Sequence, residues 1–151
     1  MPMISEATPI AFSDPLPDEV DVAIIGAGVV GTATAYFLAR RGVRVLLCEK
    51  GRVAGEQSSR NWGWIRQQGR DPAELPIMME SNRIWRGLAE ETGETDLTFT
   101  NSGCLYLAES AEVMAKLESW HEVAKQHQLD TRLLGVDAVS YTHLTLPTIV
   151  S

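Results

Sequence analysis

The sequence predicts an α/β protein that begins with a strand, a helix and a second strand parallel to the first. Residues 20–25 form a short β-branched run that ends at a glycine, which is typical of a buried parallel strand. Residues 28–41 carry apolar side chains at helical spacing, and the basic pair at the end, followed by Gly42, favours a helix C-terminus. Residues 43–48 form a second apolar strand. The three segments together predict one βαβ unit.

A glycine-rich turn joins the first strand to the helix. Residues 26–31 read Gly-Ala-Gly-Val-Val-Gly and match the pattern G-x-G-x-x-G. Gly26 permits the tight turn, Gly28 lets the backbone approach a pyrophosphate, and Gly31 lets the helix lie close to the strand. The amides and the positive dipole end of the helix then face the anion. This pattern predicts a dinucleotide site.

An acidic residue completes the pattern. Glu49 ends the second strand 21 residues after Gly28, where an acid accepts hydrogen bonds from the adenosine ribose. A carboxylate here disfavours a 2′-phosphate, which argues against NADP and leaves FAD and NAD.

The chain changes in character after this acid. Residues 51–70 are polar, rich in glycine, arginine and tryptophan, and show no strand pattern. Asp71 and Pro72 predict a helix N-terminus, and Gly93 its end. The apolar residues that share one face of this helix are Leu75, Met78, Trp85 and Leu88.

A strand and another helix are predicted further along. Residues 103–108 read as a strand that can be entered from residues 97–100, and residues 132–134 read as a short strand. Ser110 predicts the N-cap of a helix. One face of that helix carries Val113, Leu117, Trp120 and Ala124.

Composition excludes several classes of function. The 151 residues are 44% apolar and 22% charged, as in soluble globular proteins. The net charge of -7 argues against a nucleic-acid partner, which needs a basic face. No apolar run approaches the length of about 20 residues that a transmembrane segment needs. The three histidines, His121, His127 and His143, form no ligand cluster, so no metal site is predicted.

The N-terminus and the cysteines indicate a cytoplasmic protein. Residues 1–19 lack the positive start and the continuous apolar centre of a secretory signal, and they are interpreted as a flexible lead-in. Cys48 and Cys104 show no pairing or metal spacing, which predicts two reduced, buried thiols.

The loop after Glu49 favours FAD over NAD, because a classical NAD domain would soon start another strand and helix. Residues 58–66 instead read Ser-Ser-Arg-Asn-Trp-Gly-Trp-Ile-Arg. Together with the glycine pattern and the helix–strand–helix order that follows, this segment resembles the D-amino acid oxidase superfamily of flavoproteins. That group includes sarcosine oxidases, glycine oxidase and D-amino acid dehydrogenases. The resemblance covers residues 20–137 and implies the N-terminal part of a Rossmann-like FAD-binding domain, followed by the start of a mixed α+β substrate domain.

The resemblance also implies which residues contact FAD. In such proteins, the loop that matches residues 58–63 runs beside the pyrophosphate and the flavin ring. The expected cofactor-binding residues are Gly26, Ala27, Gly28, Val29, Val30, Gly31, Glu49, Lys50, Ser58, Ser59, Arg60 and Asn61.

One substrate residue follows from the same resemblance. In the sarcosine oxidase branch, the arginine that matches Arg66 helps to hold the substrate carboxylate, and a planar guanidinium suits bidentate hydrogen bonds to it. The alternative interpretation is a solvated loop arginine. Trp62 and Trp64 either flank the flavin or, as favoured here, pack under the loop. No general base can be named, so the catalytic residues are unknown.

The flavin is expected to be bound non-covalently through this segment. Some relatives attach it through a histidine in this loop, and the sequence has no histidine between Glu49 and Trp120.

The last residues depart from the resemblance. Residues 139–148 read Val-Ser-Tyr-Thr-His-Leu-Thr-Leu-Pro-Thr, which resembles one reading frame of a transposon-end adaptor used in sequencing libraries. The predicted organisation is therefore a lead-in at residues 1–19, a partial FAD-binding domain at residues 20–138, and a non-native tail at residues 139–151. A native β-prone tail is the alternative. Because a second sheet and a C-terminal return segment complete this family's domain, the chain alone is expected to bind FAD weakly and to be inactive.

The resemblance implies oxidation of the C–N bond of an amino acid or N-substituted amino acid. Hydride passes from the substrate α-carbon to flavin N5, the resulting imine hydrolyses, and oxygen or a quinone accepts the electrons. Two other functions stay open: a non-catalytic FAD- or nucleotide-binding module or subunit, and an NAD-dependent dehydrogenase.

Overall fold

The computed structural model describes residues 4–5, 7–94 and 97–141, the last three of these by their backbone only. The chain divides into two compact units, Met1–Trp64 and Ile65–Ser151. The first unit contains strand β1 (Val22–Ile25), helix α1 (Val29–Ala39) and strand β2 (Val45–Cys48). The two strands are parallel, and their register runs from Val22 opposite Val45 to Ile25 opposite Cys48. The predicted α/β fold and its βαβ unit are confirmed. Each strand starts two residues later than the sequence pattern suggests and ends where it was predicted to end, whereas α1 is shorter at both ends.

Helix α1 ends where the sequence places a glycine. Gly42 has a φ of +80° and donates its N–H to the carbonyl of Ala39 at 2.9 Å. A left-handed residue of this kind stops a helix at little steric cost only when it is glycine. Arg40 and Arg41 therefore lie in the turn beyond α1 rather than inside its last turn.

The first unit has little buried apolar surface. The side chain of Ile25 at the end of β1 is 92% exposed, and that of Val30 in α1 is 77% exposed. Among the described residues of the whole chain, Ala27, Leu75 and Ala124 are the apolar residues that are fully buried. Two strands and one helix thus leave part of their apolar surface uncovered, as a partial doubly wound sheet would.

The second unit contains helices α2 (Leu75–Thr92), α3 (Ala111–Gln126) and α4 (Val136–Tyr141). The Asp71 carboxylate accepts the N–H of Ala73 at 2.8 Å, and a short 3-10 turn (Pro72–Glu74) leads into α2. Gly93 ends α2 with a φ of +74°. Both predicted boundaries of this helix are confirmed. Its predicted inner face is confirmed too, since Leu75 is fully buried and Met78, Trp85 and Leu88 are half-buried.

Helix α3 follows the predicted pattern. The hydroxyl of Ser110 accepts the N–H of Val113 at 3.3 Å and caps the helix. The inner face consists of half-buried Val113, Leu117 and Trp120 and of buried Ala124. No α-helix of the described residues is long and apolar enough to cross a bilayer.

Three predictions for the second unit are wrong. Residues 97–100, 103–108 and 132–134 form no strand, because in the described part of the chain only β1 and β2 pair, and a strand without a partner leaves its backbone groups unpaired. Cys104 is consequently exposed and Cys48 is half-buried, so the prediction of two buried thiols is also wrong. Of the segment interpreted as a non-native tail, residues 142–151 lie outside the described residues.

Candidate dinucleotide site

The glycine turn has the backbone conformation that its sequence requires. Gly26 has a φ of +102° and donates its N–H to the carbonyl of Cys48 at 2.7 Å, so the turn begins directly after β1 while its first residue is still bonded to the end of β2. A Cβ added to Gly31 would overlap the carbonyl oxygen of Gly26 and would lie 3.4 Å from Cγ2 of Ile24. Helix α1 therefore lies against the end of β1 at a distance that excludes any side chain at residue 31.

Glu49 holds this turn in place. Its Oε2 accepts the N–H of Ala27 at 2.8 Å, and its Oε1 accepts the N–H of Gly51 at 2.9 Å. The hydrogen bond from Ala27, followed by that from Gly51, lowers the pKa of the Glu49 carboxyl below its ordinary value. A carboxylate has about four lone-pair sites, so each oxygen can accept a further donor such as a ribose hydroxyl. The pattern in the sequence pointed to the ribose but did not reveal that the same side chain fixes the glycine turn.

The loop after β2 adds two more contacts to the same turn. The carbonyl of Ala27 accepts the N–H of Ala54 at 2.9 Å, and the hydroxyl of Ser58 accepts the N–H of Val29 at 2.8 Å. A Cβ on Gly28 would lie 3.1 Å from the Ser58 oxygen, which is closer than ordinary van der Waals contact. The loop thus approaches the N-terminus of α1 closely because residue 28 has no side chain.

The other predicted loop residues mainly hold the loop itself together. The side-chain amide of Asn61 donates to the carbonyl of Ser58 at 2.8 Å, and its oxygen accepts the N–H of Gly63 at 2.6 Å. The hydroxyl of Ser59 donates to the carbonyl of Glu56 at 3.3 Å. Lys50 and Arg60 each form an exposed ion pair with the carboxylate of Glu56, both at 3.5 Å.

The arrangement fits a dinucleotide pyrophosphate in three respects. The backbone at Gly26 and Gly28 carries no side chain that would hold an anion away. The N-terminus of α1 supplies a positive dipole end. Ser58 accepts from Val29, and a hydroxyl in that role can still donate its proton to a phosphate oxygen. The first unit thus places a hydroxyl donor and a helix N-terminus, which suit a pyrophosphate, close to the Glu49 carboxylate, which suits a ribose hydroxyl.

Arg66 belongs to the second unit. Its Nη1 donates to the carbonyl of Gln68 and lies 3.4 Å from the hydroxyl oxygen of Tyr106. Arg66 is half-buried rather than extended in solvent. No motif or spacing pointed to Tyr106, which lies 40 residues away along the chain.

The two loop tryptophans do not lie where they were expected. The side chain of Trp62 is 94% exposed and that of Trp64 is 51% exposed, so the prediction that they pack under the loop is wrong. The intervening Gly63 has a φ of +62°. The described residues contain no group of three or more His, Cys, Asp or Glu side chains that could hold a metal ion.

Comparison with known proteins identifies the family. Residues 21–145 match the family model DAO, described as FAD dependent oxidoreductase. Monomeric sarcosine oxidase from Arthrobacter sp. (strain TE1826) is 30% identical over 119 residues, which are 77% of this chain and 30% of that protein. The mitochondrial pyruvate dehydrogenase phosphatase regulatory subunit of Mus musculus is 29% identical over 115 residues, which are 76% of this chain and 13% of that protein.

Solved structures agree with the sequence matches. L-amino acid deaminase from Proteus myxofaciens, in complex with anthranilate, superimposes with a TM-score of 0.81 and 31% identity over 90% of this chain and 31% of the deaminase. The chain thus spans about a third or less of the length of these relatives. With a family match that covers most of its residues, the chain belongs to the DAO family of FAD dependent oxidoreductases.

Proposed function

We propose that this chain forms the cofactor-binding start of a flavoenzyme that oxidises the C–N bond of an amino acid or an N-substituted amino acid. The observation that carries the proposal is the glycine turn fixed by Glu49 in a chain of this FAD-dependent family. The names of two relatives, a sarcosine oxidase and an L-amino acid deaminase, support the substrate class. A bound FAD would supply the hydride acceptor for this oxidation, and oxygen or a quinone would take up the electrons.

The residues of the first unit would bind and orient the adenosine half of the cofactor. The bare backbone at Gly26 and Gly28 would contact the pyrophosphate, and Ser58 would donate its hydroxyl proton to it. Glu49 would accept the ribose hydroxyls while it keeps its bonds to Ala27 and Gly51. We infer that the flavin is held without a covalent bond in this segment, because no histidine lies between Glu49 and Trp120.

Arg66 would bind the substrate carboxylate. Its guanidinium is half-buried and hydrogen-bonded, so it is already partly ordered before a ligand arrives. Changing Arg66 to Lys removes the planar fork that pairs with both carboxylate oxygens but keeps the charge. We expect KM for amino-acid substrates to rise about tenfold while FAD affinity stays unchanged. Unchanged kinetics would contradict the assignment.

Flavin reduction tests the proposed activity. The complete protein encoded by the gene would be loaded with FAD and mixed, without oxygen, with sarcosine, glycine and a series of L- and D-amino acids. Bleaching of the flavin absorbance by at least one of them is the expected result, and reoxidation by oxygen or by a quinone then identifies the acceptor. If acid precipitation leaves flavin on the protein, a linkage mapped between Glu49 and Trp120 would contradict non-covalent binding in this segment. A flavin that no amino acid or amine bleaches would overturn the proposal.

A second function is favoured by one relative. The Mus musculus protein is named as a regulatory subunit, so a non-catalytic FAD-binding subunit is the alternative. It predicts bound flavin that amino acids do not bleach, whereas the oxidase proposal predicts bleaching. An NAD-dependent enzyme has less support, because the chain belongs to an FAD-dependent family.

We also propose that the chain as given binds FAD weakly and does not turn over. The support is its uncovered apolar surface, since Ile25 at the end of β1 and Val30 in α1 are both largely exposed. Tight, stoichiometric flavin in the purified chain would contradict this.

The proposed domain division comprises a lead-in at residues 1–19, a partial domain at 20–138 and an adaptor-derived tail at 139–151. Sequencing the source DNA across codons 134–151 tests the last boundary. Uninterrupted genomic sequence there would contradict the adaptor.

A further inference from the structure

The guanidinium of Arg66 is held at one end by three neighbours. Nη1 donates to the carbonyl of Gln68 and lies 3.4 Å from the Tyr106 hydroxyl. It also lies against Gly69, where an added Cβ would be 3.1 Å from Nη1. Gly69 has a φ of +68°, so glycine is favoured here by its backbone as well as by the close approach. The turn at Gln68 and Gly69, together with the distant Tyr106, thus determines where Nη1 of Arg66 lies.

The carbonyl of Gln68 and the phenol of Tyr106 are both neutral groups. A carbonyl carries no charge, and burial raises the pKa of the Tyr106 phenol above its ordinary value of 10.0. The positive charge of Arg66 opposes part of that increase, while Cys104 adds to it. The phenol is therefore uncharged near neutral pH, and it orients the guanidinium without cancelling its charge. An aspartate or glutamate in the same place would compete with an incoming carboxylate for that charge.

We propose that Tyr106 is a positioning residue for Arg66 and so determines how well this arginine binds the substrate carboxylate. The inference rests on the proposed function, in which Arg66 holds the carboxylate. Bidentate pairing needs the guanidinium plane to be aligned with the two carboxylate oxygens. An acceptor bound at one end restricts rotation of that plane before the ligand arrives, which reduces the entropy lost on binding.

Binding of anthranilate measures this role directly. Anthranilate is the carboxylate found in the Proteus myxofaciens deaminase complex, and its fluorescence allows titration without turnover. In the FAD-loaded complete protein, Tyr106→Phe should weaken anthranilate binding about three- to tenfold, the range expected for one lost hydrogen bond. Arg66→Gln should weaken it more. The control is Tyr36→Phe, which makes the same substitution in α1 and should leave binding unchanged.

Two further readouts separate positioning from a general effect on stability. In steady-state kinetics, Tyr106→Phe should raise KM and leave kcat nearly unchanged, because only carboxylate binding is impaired. The second readout is the titration of tyrosinate absorbance with pH. The transition that is missing in Tyr106→Phe belongs to Tyr106, and in Arg66→Gln it should occur at higher pH, because Arg66 lowers the pKa of Tyr106. Loss of packing alone would produce neither result.

The outcomes distinguish the inference from the proposed function. Normal anthranilate affinity in Arg66→Gln would overturn the role of Arg66, and with it the role of Tyr106. Weaker binding in Arg66→Gln with normal binding in Tyr106→Phe would overturn the inference alone. If Tyr106→Phe does not fold, Tyr106→Met replaces it, since an unbranched apolar side chain adapts to irregular space and has no hydroxyl. Normal affinity in Tyr106→Met would then overturn the inference.

Discussion

The glycine turn (residues 26–31) and the segment around Arg66 (residues 66–69) hold their polar groups in different ways. In the glycine turn, backbone N–H groups of Ala27 and Val29 are each bound at 2.8 Å by side chains 22 and 29 residues away along the chain. In the other turn, a flexible side chain reaches a carbonyl two residues away and a phenol at 3.4 Å. The first arrangement fixes backbone atoms, whereas the second orients a charged side chain. Under the proposed function, the cofactor would therefore meet rigid backbone, whereas the proposed carboxylate site would depend on one neighbouring residue, Tyr106.

The two units also differ in what determines their backbone conformation. Around β1 and β2 the conformation depends on close approaches that only glycine allows, as at Gly31. In the second unit it depends on local helix signals, such as the cap at Ser110 and the glycine stop at Gly93. Substitutions in the first unit should therefore have larger effects than substitutions of the same kind in the second.

Gly31→Ala should have the largest effect. The added Cβ would overlap the Gly26 carbonyl oxygen, so α1 must move off β1. We expect the free energy of unfolding to fall by about 3 kcal/mol, at the upper end of the cost of overpacking. Urea denaturation followed by circular dichroism measures this change. The matched control is Gly87→Ala in α2, where an added Cβ meets nothing within 4 Å and stability should rise by up to about 1 kcal/mol. Equal effects of the two substitutions would contradict the comparison.

Glu49→Gln should come next. An amide has one acceptor oxygen, so its NH₂ group would face either the N–H of Ala27 or that of Gly51. We expect the FAD dissociation constant to rise at least about tenfold, measured by flavin fluorescence. Glu56→Gln is the control, because the side chain of this residue in the same loop forms exposed ion pairs with Lys50 and Arg60, which contribute little. A similar loss of affinity in both variants would show that general loop disruption, rather than the hold on the glycine turn, is responsible.

The pH dependence of stability should reveal the same carboxylate. Because the hydrogen bond from Ala27 lowers the pKa of Glu49 in the folded chain, the folded state binds this proton less readily than the unfolded state. The stabilisation is therefore fully present above the ordinary carboxyl value of 4.5 and is lost as the pH falls through the lower folded value. Urea denaturation between pH 3 and 6 should show that the difference in the free energy of unfolding between the wild type and Glu49→Gln changes with pH below 4.5. A difference that stays constant across this pH range would contradict a lowered pKa of Glu49.

Ser110→Ala should have the smallest effect. It removes the acceptor for the N–H of Val113 at the start of α3, at a cost of about 1 kcal/mol in the free energy of unfolding. The control is Ser119→Ala, an exposed position inside the same helix, where alanine should not destabilise because it favours helix. If Ser110→Ala cost as much as Gly31→Ala, the distinction between the two units would fail.

Sequence alone determined the parts of this protein that depend on short-range geometry. The glycine spacing, the β-branched runs and the stop at Gly42 predicted the βαβ unit, and Asp71, Gly93 and Ser110 predicted three helix boundaries. Each of these signals acts through the backbone of its own segment, so it can be identified without knowing what lies nearby. Glu49, which directly follows β2, could also be identified from sequence, because one helix and one strand separate it from the glycine turn.

Tertiary structure decided what depends on partners distant in the chain. Residues 103–108 have the composition of a strand, but no neighbouring strand pairs with them in the described residues, and Cys104 is exposed as a result. Trp62 is 94% exposed, although an aromatic side chain beside a glycine-rich loop was expected to pack under it. The hold of Glu49 on Ala27, the cap of Ser58 on α1 and the contact of Tyr106 with Arg66 join residues 22 to 40 positions apart. Nothing in local periodicity encodes which of many polar side chains will meet, because that depends on how the folded backbone brings them together.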